Sequence, residues 1–137
     1  MSEDRGYVQI DILGDSKVGK SCIYDLFIGN EFTDQYSPTN YVQMEYHNYD
    51  VENVTQLFHF FDHSGQCCTQ KKDVLRFSIN THGCIIVFDV TNSKSFNTAT
   101  SIIKWIKNSP NKAFLVLVGN KIDLVEERQV TKEEAEN

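Results

Sequence analysis

The chain has 137 residues, 40% of them hydrophobic and 23% charged, a balance that excludes a disordered segment and allows one domain with a buried core. Its 19 acidic residues outnumber 13 basic ones, and the net charge of −6 argues against a surface built to hold nucleic acid or an anionic membrane. Metabolites and other proteins are the partners this leaves.

In chain order, Tyr7 to Leu13 alternates apolar and polar residues and predicts a strand, followed at once by "GDSKVGKS". Ile23, Leu26 and Phe27 then recur at helical spacing, so a helix runs from Gly19 to Ile28 and ends near Gly29–Asn30. The polar stretch Glu31 to Asn40, with Pro38, reads as a loop. "VQMEYHNY" and "TQLFHFF" alternate as two strands around the turn signal "DVEN", which together make a hairpin. "DHSGQ" interrupts the pattern, and "TQKKDVLRF" predicts a short helix. "CIIVFDV" and "AFLVLVG" are continuous apolar runs, as expected of strands buried on both faces. Between them Asn92 or Ser93 caps a helix through Asn108, with Phe96, Ala99, Ile103 and Ile106 as its apolar stripe; Trp105 on that helix reads as a partly buried packing residue. Thr131 and Glu134 form a capping box for a last helix. Strands alternating with helices in this way predict an α/β fold with a mostly parallel central sheet and helices on both faces. No repeat or linker divides the chain, so residues 1–137 read as a single domain.

Neither apolar run is long enough to span a bilayer. "MSEDRGYVQ" lacks the apolar core of a signal peptide, and "TKEEAEN" holds no cysteine to prenylate. The sequence therefore predicts a cytoplasmic chain with no direct membrane anchor. Cys22, Cys67, Cys68 and Cys84 have no metal-ligand spacing and read as thiols in a reducing compartment.

The octet from Gly14 to Ser21 matches G-x-x-x-x-G-K-[ST] between a predicted strand and a predicted helix. In such a loop successive backbone N–H groups curl round phosphates at a helix N-terminus, where the helix dipole also favours an anion. The segment that would do this is Gly14, Asp15, Ser16, Lys17, Val18, Gly19, Lys20, Ser21 and Cys22. Gly19 lets the backbone approach the ligand, Lys20 reaches the outer phosphates, and the Ser21 hydroxyl ligates Mg²⁺. "VGNKIDL" puts Asn120, Lys121 and Asp123 at the C-terminal end of a buried strand, where open α/β sheets bind ligands. A carboxylate at Asp123 can accept from both the ring N–H and the exocyclic amine of guanine, a pattern adenine does not offer.

With these motifs in order, the chain from about Tyr7 to Val130 resembles a small GTPase of the Ras superfamily, most closely the Rab branch. "GDSKVGKS" is similar to the Rab phosphate loop, "DHSGQ" stands where the family has D-x-x-G-Q, and "IIVFDVT" and "GNKIDL" match the following strand and the base motif. The resemblance implies the small G-protein version of the phosphate-loop fold and a GTP/GDP switch that uses Mg²⁺ and hydrolyses GTP slowly, of the vesicle-trafficking type. It implies that Thr39 ligates Mg²⁺ and senses the γ-phosphate, that Tyr36 closes over the phosphates, and that Phe32 packs against the guanine. Asp62 would hold Mg²⁺ through a water, the Gly65 N–H would bond the γ-phosphate, and Gln66 would orient the attacking water, with Lys20 neutralising charge. No arginine is placed to act in cis, so a partner would donate one. Effectors, exchange factors and GTPase-activating proteins would bind the switch loops Glu31–Asn40 and Asp62–Phe77.

Some residues depart from the family pattern. His63 and Ser64 replace Thr-Ala, and His63 reads as a tolerated substitution rather than a new base. Cys67 and Cys68 are either inert or an exposed pair open to oxidation. Lys17 replaces a small residue and either adds charge near the phosphates or crowds an incoming arginine. "NYVQM" replaces the I-G-x-x-F of Rab proteins, which sets familiar Rab effectors and exchange factors aside. The resemblance further implies a final strand and helix, and a loop against the guanine, that the 137 residues do not include. A chain without them would expose Ala113 to Val118 as a sheet edge, leave an apolar patch on one face and open one wall of the base pocket. Two functions follow from the motifs: the hydrolytic switch, and a weakly binding or non-hydrolysing interaction module. An ATP-dependent enzyme ranks last because it leaves "NKID" unexplained.

Overall fold

The computed structural model describes residues 6–31 and 42–137, and Phe32, Tyr36 and Thr39 lie outside them. Among the described residues five strands, β1 (Val8–Gly14), β2 (Gln43–Val51), β3 (Val54–Asp62), β4 (Gly83–Asp89) and β5 (Phe114–Asn120), form one sheet in the order β2-β3-β1-β4-β5. Pairing is parallel throughout except between β2 and β3. These two are the predicted hairpin. Glu52 and Asn53 turn it with φ of 50° and 67°, the left-handed pair that matches the twist of the strands.

Helix α1 (Lys20–Phe27) covers one face of the sheet, and α2 (Lys71–Phe77) and α3 (Ser93–Lys107) cover the other. Tyr24 of α1 packs in a cluster with Ile12, Val18, Phe60 and Val87, with Phe27 stacked on Phe60 and the Tyr49 hydroxyl donating to the Phe27 carbonyl. On the other face Val74 of α2 and Ile102 and Ile106 of α3 pack in a cluster with Leu13, Ile86 and Phe88 of the sheet. Each of these fully buried branched side chains contributes roughly 1.5–3 kcal/mol by leaving water.

The predicted stripe of α3 is rotated slightly. Ala99, Ile102 and Ile106 are the buried apolar positions, and Phe96 and Ile103 pack at the margin of the core. The Asn92 side chain accepts from the Ser95 N–H as N-cap. The capping box at Thr131 and Glu134 forms as expected and starts α4 (Lys132–Glu136). β5 forms an edge of the sheet among the described residues, with Phe114 84% exposed. Among the same residues no helix is long and apolar enough to cross a membrane.

The alternation of β1 does not put its polar residues in water. Gln9 and Asp11 point under α2 and α3 and are buried, Asp11 completely. Both faces of this central strand are covered, so its polar side chains must find partners inside the protein.

Candidate functional site: the carboxyl edge of the sheet

The parallel register brings the C-terminal ends of four strands together. Gly14 pairs with Val87, Ile12 with Asp62, and Asp89 with Asn120. The described candidate residues from the sequence lie at the ends of these strands, on the loops leaving them or in the first turn of α1, at the edge where ligands bind in open α/β sheets.

Gly14 leaves β1 so close to β4 that a Cβ there would lie 2.3 Å from the Val87 carbonyl oxygen. Only glycine permits this turn. Gly19 has φ of 98°, and its ideal Cβ would meet the Asn120 amide nitrogen at 2.2 Å. α1 begins here without a side-chain cap, so no side chain occupies the first N–H donors of the helix. The Lys20 ammonium is buried and donates to the Asp15 carbonyl at 2.6 Å. Burial lowers its pKa from the ordinary lysine value, and the charges of Asp62 and Asp15 oppose that shift.

The Ser21 hydroxyl donates to Asp62 Oδ2 at 2.6 Å. Asp62 is fully buried, its Oδ1 has no hydrogen-bond partner among the described residues, and burial raises its pKa against the opposing influence of Ser21 and Lys20. A hydroxyl and a carboxylate side by side, with one carboxylate oxygen unsatisfied, are hard oxygen donors of the kind Mg²⁺ takes. The residues present therefore fit the ion. Among the described residues no three His, Cys, Asp or Glu gather as a metal site, and a Mg²⁺ shared with phosphates needs only one or two protein ligands. Gly65 packs on the phosphate loop, where a Cβ would come within 2.4 Å of the Ser16 N–H. Gln66 is exposed at the start of a 3-10 turn over Cys67–Thr69.

The base motif is bonded to the phosphate loop. The Asn120 amide donates to the Val18 carbonyl at 2.9 Å, and Lys121 donates to the Lys17 carbonyl at 2.8 Å. Lys17 and Lys121 are themselves left-handed, with φ of 65° and 63°. Such conformations cost about 1 kcal/mol or more each and persist where the surroundings over-determine them. The Lys17 side chain is exposed. Asp123 is exposed at the tip of the same turn.

Sequence reasoning missed two residues here. Asp89, at the end of β4, is bound to Lys121 at 2.8 Å and accepts from both the N–H and the hydroxyl of Thr91. Burial opposes its ionisation, but the bonds from Lys121 and Thr91 outweigh that and lower its pKa. Its signal was an aspartate ending an apolar run, with nothing to show that Lys121 reached it. The other is Asp11, whose Oδ1 lies 2.5 Å from His63 Nε2 beneath the "DHSGQ" segment. Of the two readings of Cys67 and Cys68, burial favours the inert one over the exposed pair. Cys68 is buried, and burial pushes its thiol up to about 11, away from the reactive thiolate.

The sheet and this edge define a phosphate-loop nucleotide-binding fold, and comparison with known proteins agrees. A model of the Ras family matches residues 9–137. The chain is 35% identical over 130 residues to "Ras-related protein Rab-4" of Dictyostelium discoideum, covering 93% of this chain and 62% of that protein. It is 34% identical over 134 residues to "GTP-binding protein YPTM1" of Zea mays, covering 95% and 63%. It is 32% identical over 130 residues to "GTP-binding protein Rheb homolog" of Drosophila melanogaster, covering 91% and 69%. The chain belongs to the Ras family and, with several Rab proteins among its relatives, stands close to the Rab branch. It spans about three fifths of the length of the first two relatives.

Proposed function

We propose that this protein is a guanine-nucleotide switch that binds GTP and GDP with Mg²⁺ and hydrolyses GTP slowly, as a regulator of the vesicle-trafficking type. The observation that carries the reading is the joining of two distant motifs, 102 residues apart, through Asn120 and Val18. A loop shaped for phosphates and a turn shaped for a base then form two ends of one site.

In this reading the N–H groups from Gly14 to Cys22 cradle the phosphates, and Lys20 neutralises charge on the outer ones. Ser21, Thr39 and Asp62 hold Mg²⁺, which supplies charge neutralisation as the phosphoryl group is transferred. The Gly65 N–H bonds the γ-phosphate, and Gln66 orients the attacking water by accepting its hydrogen bond. Phe32 and Tyr36 close over base and phosphates. Asn120 and Lys121 brace the phosphate loop, and Asp123 selects guanine by accepting two N–H bonds. Turnover by the chain alone is slow because an arginine to stabilise the transition state comes from a partner. Partners that read or reset the switch engage Glu31–Asn40 and Asp62–Phe77, segments whose order would follow the γ-phosphate.

The test is a titration of the chain with fluorescent GDP in Mg²⁺, competed by unlabelled GTP and by ATP. Displacement by GTP and not by ATP is expected. Absence of binding by a folded chain would instead favour the interaction-module reading.

A further inference from the structure

The charges of this acidic chain are segregated. Residues 67–112 hold seven of the 13 basic residues and only two of the 19 acidic ones. One of these two, Asp89, is buried and bound to Lys121, which leaves Asp73 as the other carboxylate of the segment.

Within this segment α2 and the end of α3 enclose an open groove of about 600 Å³. Its apolar lining is Leu75 and Ile79 from the α2 side, and Trp105 and Pro110 from the α3 side. Ile79 is 64% exposed, so the apolar side of the groove is open to a partner. Lys71 lines the groove, and Lys72 lies three residues before Leu75, on the same side of α2. Lys104 precedes the lining residue Asn108 by one turn of α3, and Lys112 follows Asn111. All four lysines are exposed, and none forms an ion pair among the described residues. The walls are tied together, since the Asn111 amide donates to the carbonyls of Ser78 at 2.5 Å and Thr81 at 3.2 Å. A groove held by its own hydrogen bonds is pre-organised and loses little entropy on binding.

We propose that this groove docks an acidic peptide segment of a partner protein. An apolar side chain of the peptide would sit between Leu75 and Trp105, with flanking carboxylates against Lys71 and Lys104. Charge complementarity selects the occupant: free basic groups surround an apolar trough, on a chain whose net charge is −6. A lipid surface fits less well, because the apolar residues line a concavity that a bilayer cannot enter and the overall charge repels anionic headgroups.

A random linear-peptide library panned on the chain, with counter-selection on a Lys71→Glu, Lys104→Glu double variant, tests this. Enriched peptides should carry carboxylates around one or two apolar residues. Trp105 is the only tryptophan, so tryptophan-free peptides should shift its emission. The double variant should bind them about tenfold more weakly or worse. Lys132→Glu on α4 changes charge at a site away from the groove and should leave binding intact. Circular dichroism checks that both variants fold. The proposal is overturned if no peptide is enriched over the double variant, or if the enriched peptides lack carboxylates. It is overturned equally if phosphatidylserine–phosphatidylcholine vesicles bind through these lysines and peptides do not. Self-association abolished by the double variant, with no peptide bound, would assign the groove to the acidic C-terminal segment of a second copy.

Discussion

His63 Nε2 and Asp11 Oδ1 lie 2.5 Å apart, with both side chains buried, behind the "DHSGQ" segment. The carboxylate can only accept, so the Nε2–H of the ring donates. The imidazole also stacks on Phe77 of α2 at 4.1 Å, which joins β1, the end of β3 and α2 in one contact. Removing Asp11 leaves the buried His63 ring with no hydrogen-bond partner among the described residues, and removing His63 leaves Asp11 only the Gln9 amide at 3.2 Å. Asp11→Leu or His63→Thr alone should each cost about 3–5 kcal/mol in urea unfolding, while the two substitutions combined should recover most of the loss. Additive losses in that cycle would show that the two side chains do not depend on one another.

Lys20→Ala removes the one buried ammonium of the phosphate loop. Nucleotide affinity should fall by about 100-fold or more, the scale of two charge-assisted hydrogen bonds, with the unfolding midpoint little changed. Fluorescent GDP binding measures it, and retained affinity would refute the phosphate-loop assignment.

Asp123→Asn exchanges an acceptor for a donor at one of the two N–H contacts proposed for guanine. The variant should lose guanine nucleotides by about 100-fold and gain xanthine nucleotides, which offer a carbonyl where guanine has its amine. Competition between GDP and xanthosine diphosphate reads the exchange, and an unchanged preference would remove Asp123 from base recognition.

If Gln66 acts as proposed, Gln66→Leu should leave GDP and GTP affinity intact and slow hydrolysis by about 100-fold, because only water positioning is lost. Single-turnover phosphate release separates the two effects. A loss of binding instead would make Gln66 a ligand contact.

The Asp89–Lys121 pair makes a prediction about pH. The folded-state pKa of Asp89 is lowered, so its contribution is fully present above the unfolded carboxylate value of about 3.9 and is lost as pH falls through the lower folded value. The stability difference between the native chain and Asp89→Asn should therefore be constant near neutrality and shrink in the most acidic range where the protein still folds. Urea midpoints across that range test it, and a difference independent of pH would assign the effect to packing.

Much of the site was legible because its signals are local. Glycines that must adopt φ of 98° or approach a carbonyl, a capping box and a two-residue turn are set by backbone chemistry over a few residues. The remainder depended on what packs over each face. The alternation "VQIDIL" suits a half-exposed strand, yet α2 and α3 cover Asp11 and His63 supplies its partner. The stripe of α3 was read one position off at Ile102, because helical spacing does not tell which edge of a stripe meets the sheet. Cys67 and Cys68 could be read as inert or as an exposed pair, and the 3-10 turn at Cys67–Thr69, which buries Cys68, decides against the exposed pair.

The sequence alone determined the order of strands and helices, the phosphate loop, the base motif and the family to which they belong, since these are encoded by residue type at short spacing. Tertiary structure decided which distant residues meet: Asn120 on Val18, Lys121 between Lys17 and Asp89, and Asp11 on His63. It also gathered the basic rim around the groove at Trp105. These pairings cross from 32 to 104 residues of chain, and only the parallel register of the sheet and the helices packed on it bring such separations within hydrogen-bond reach.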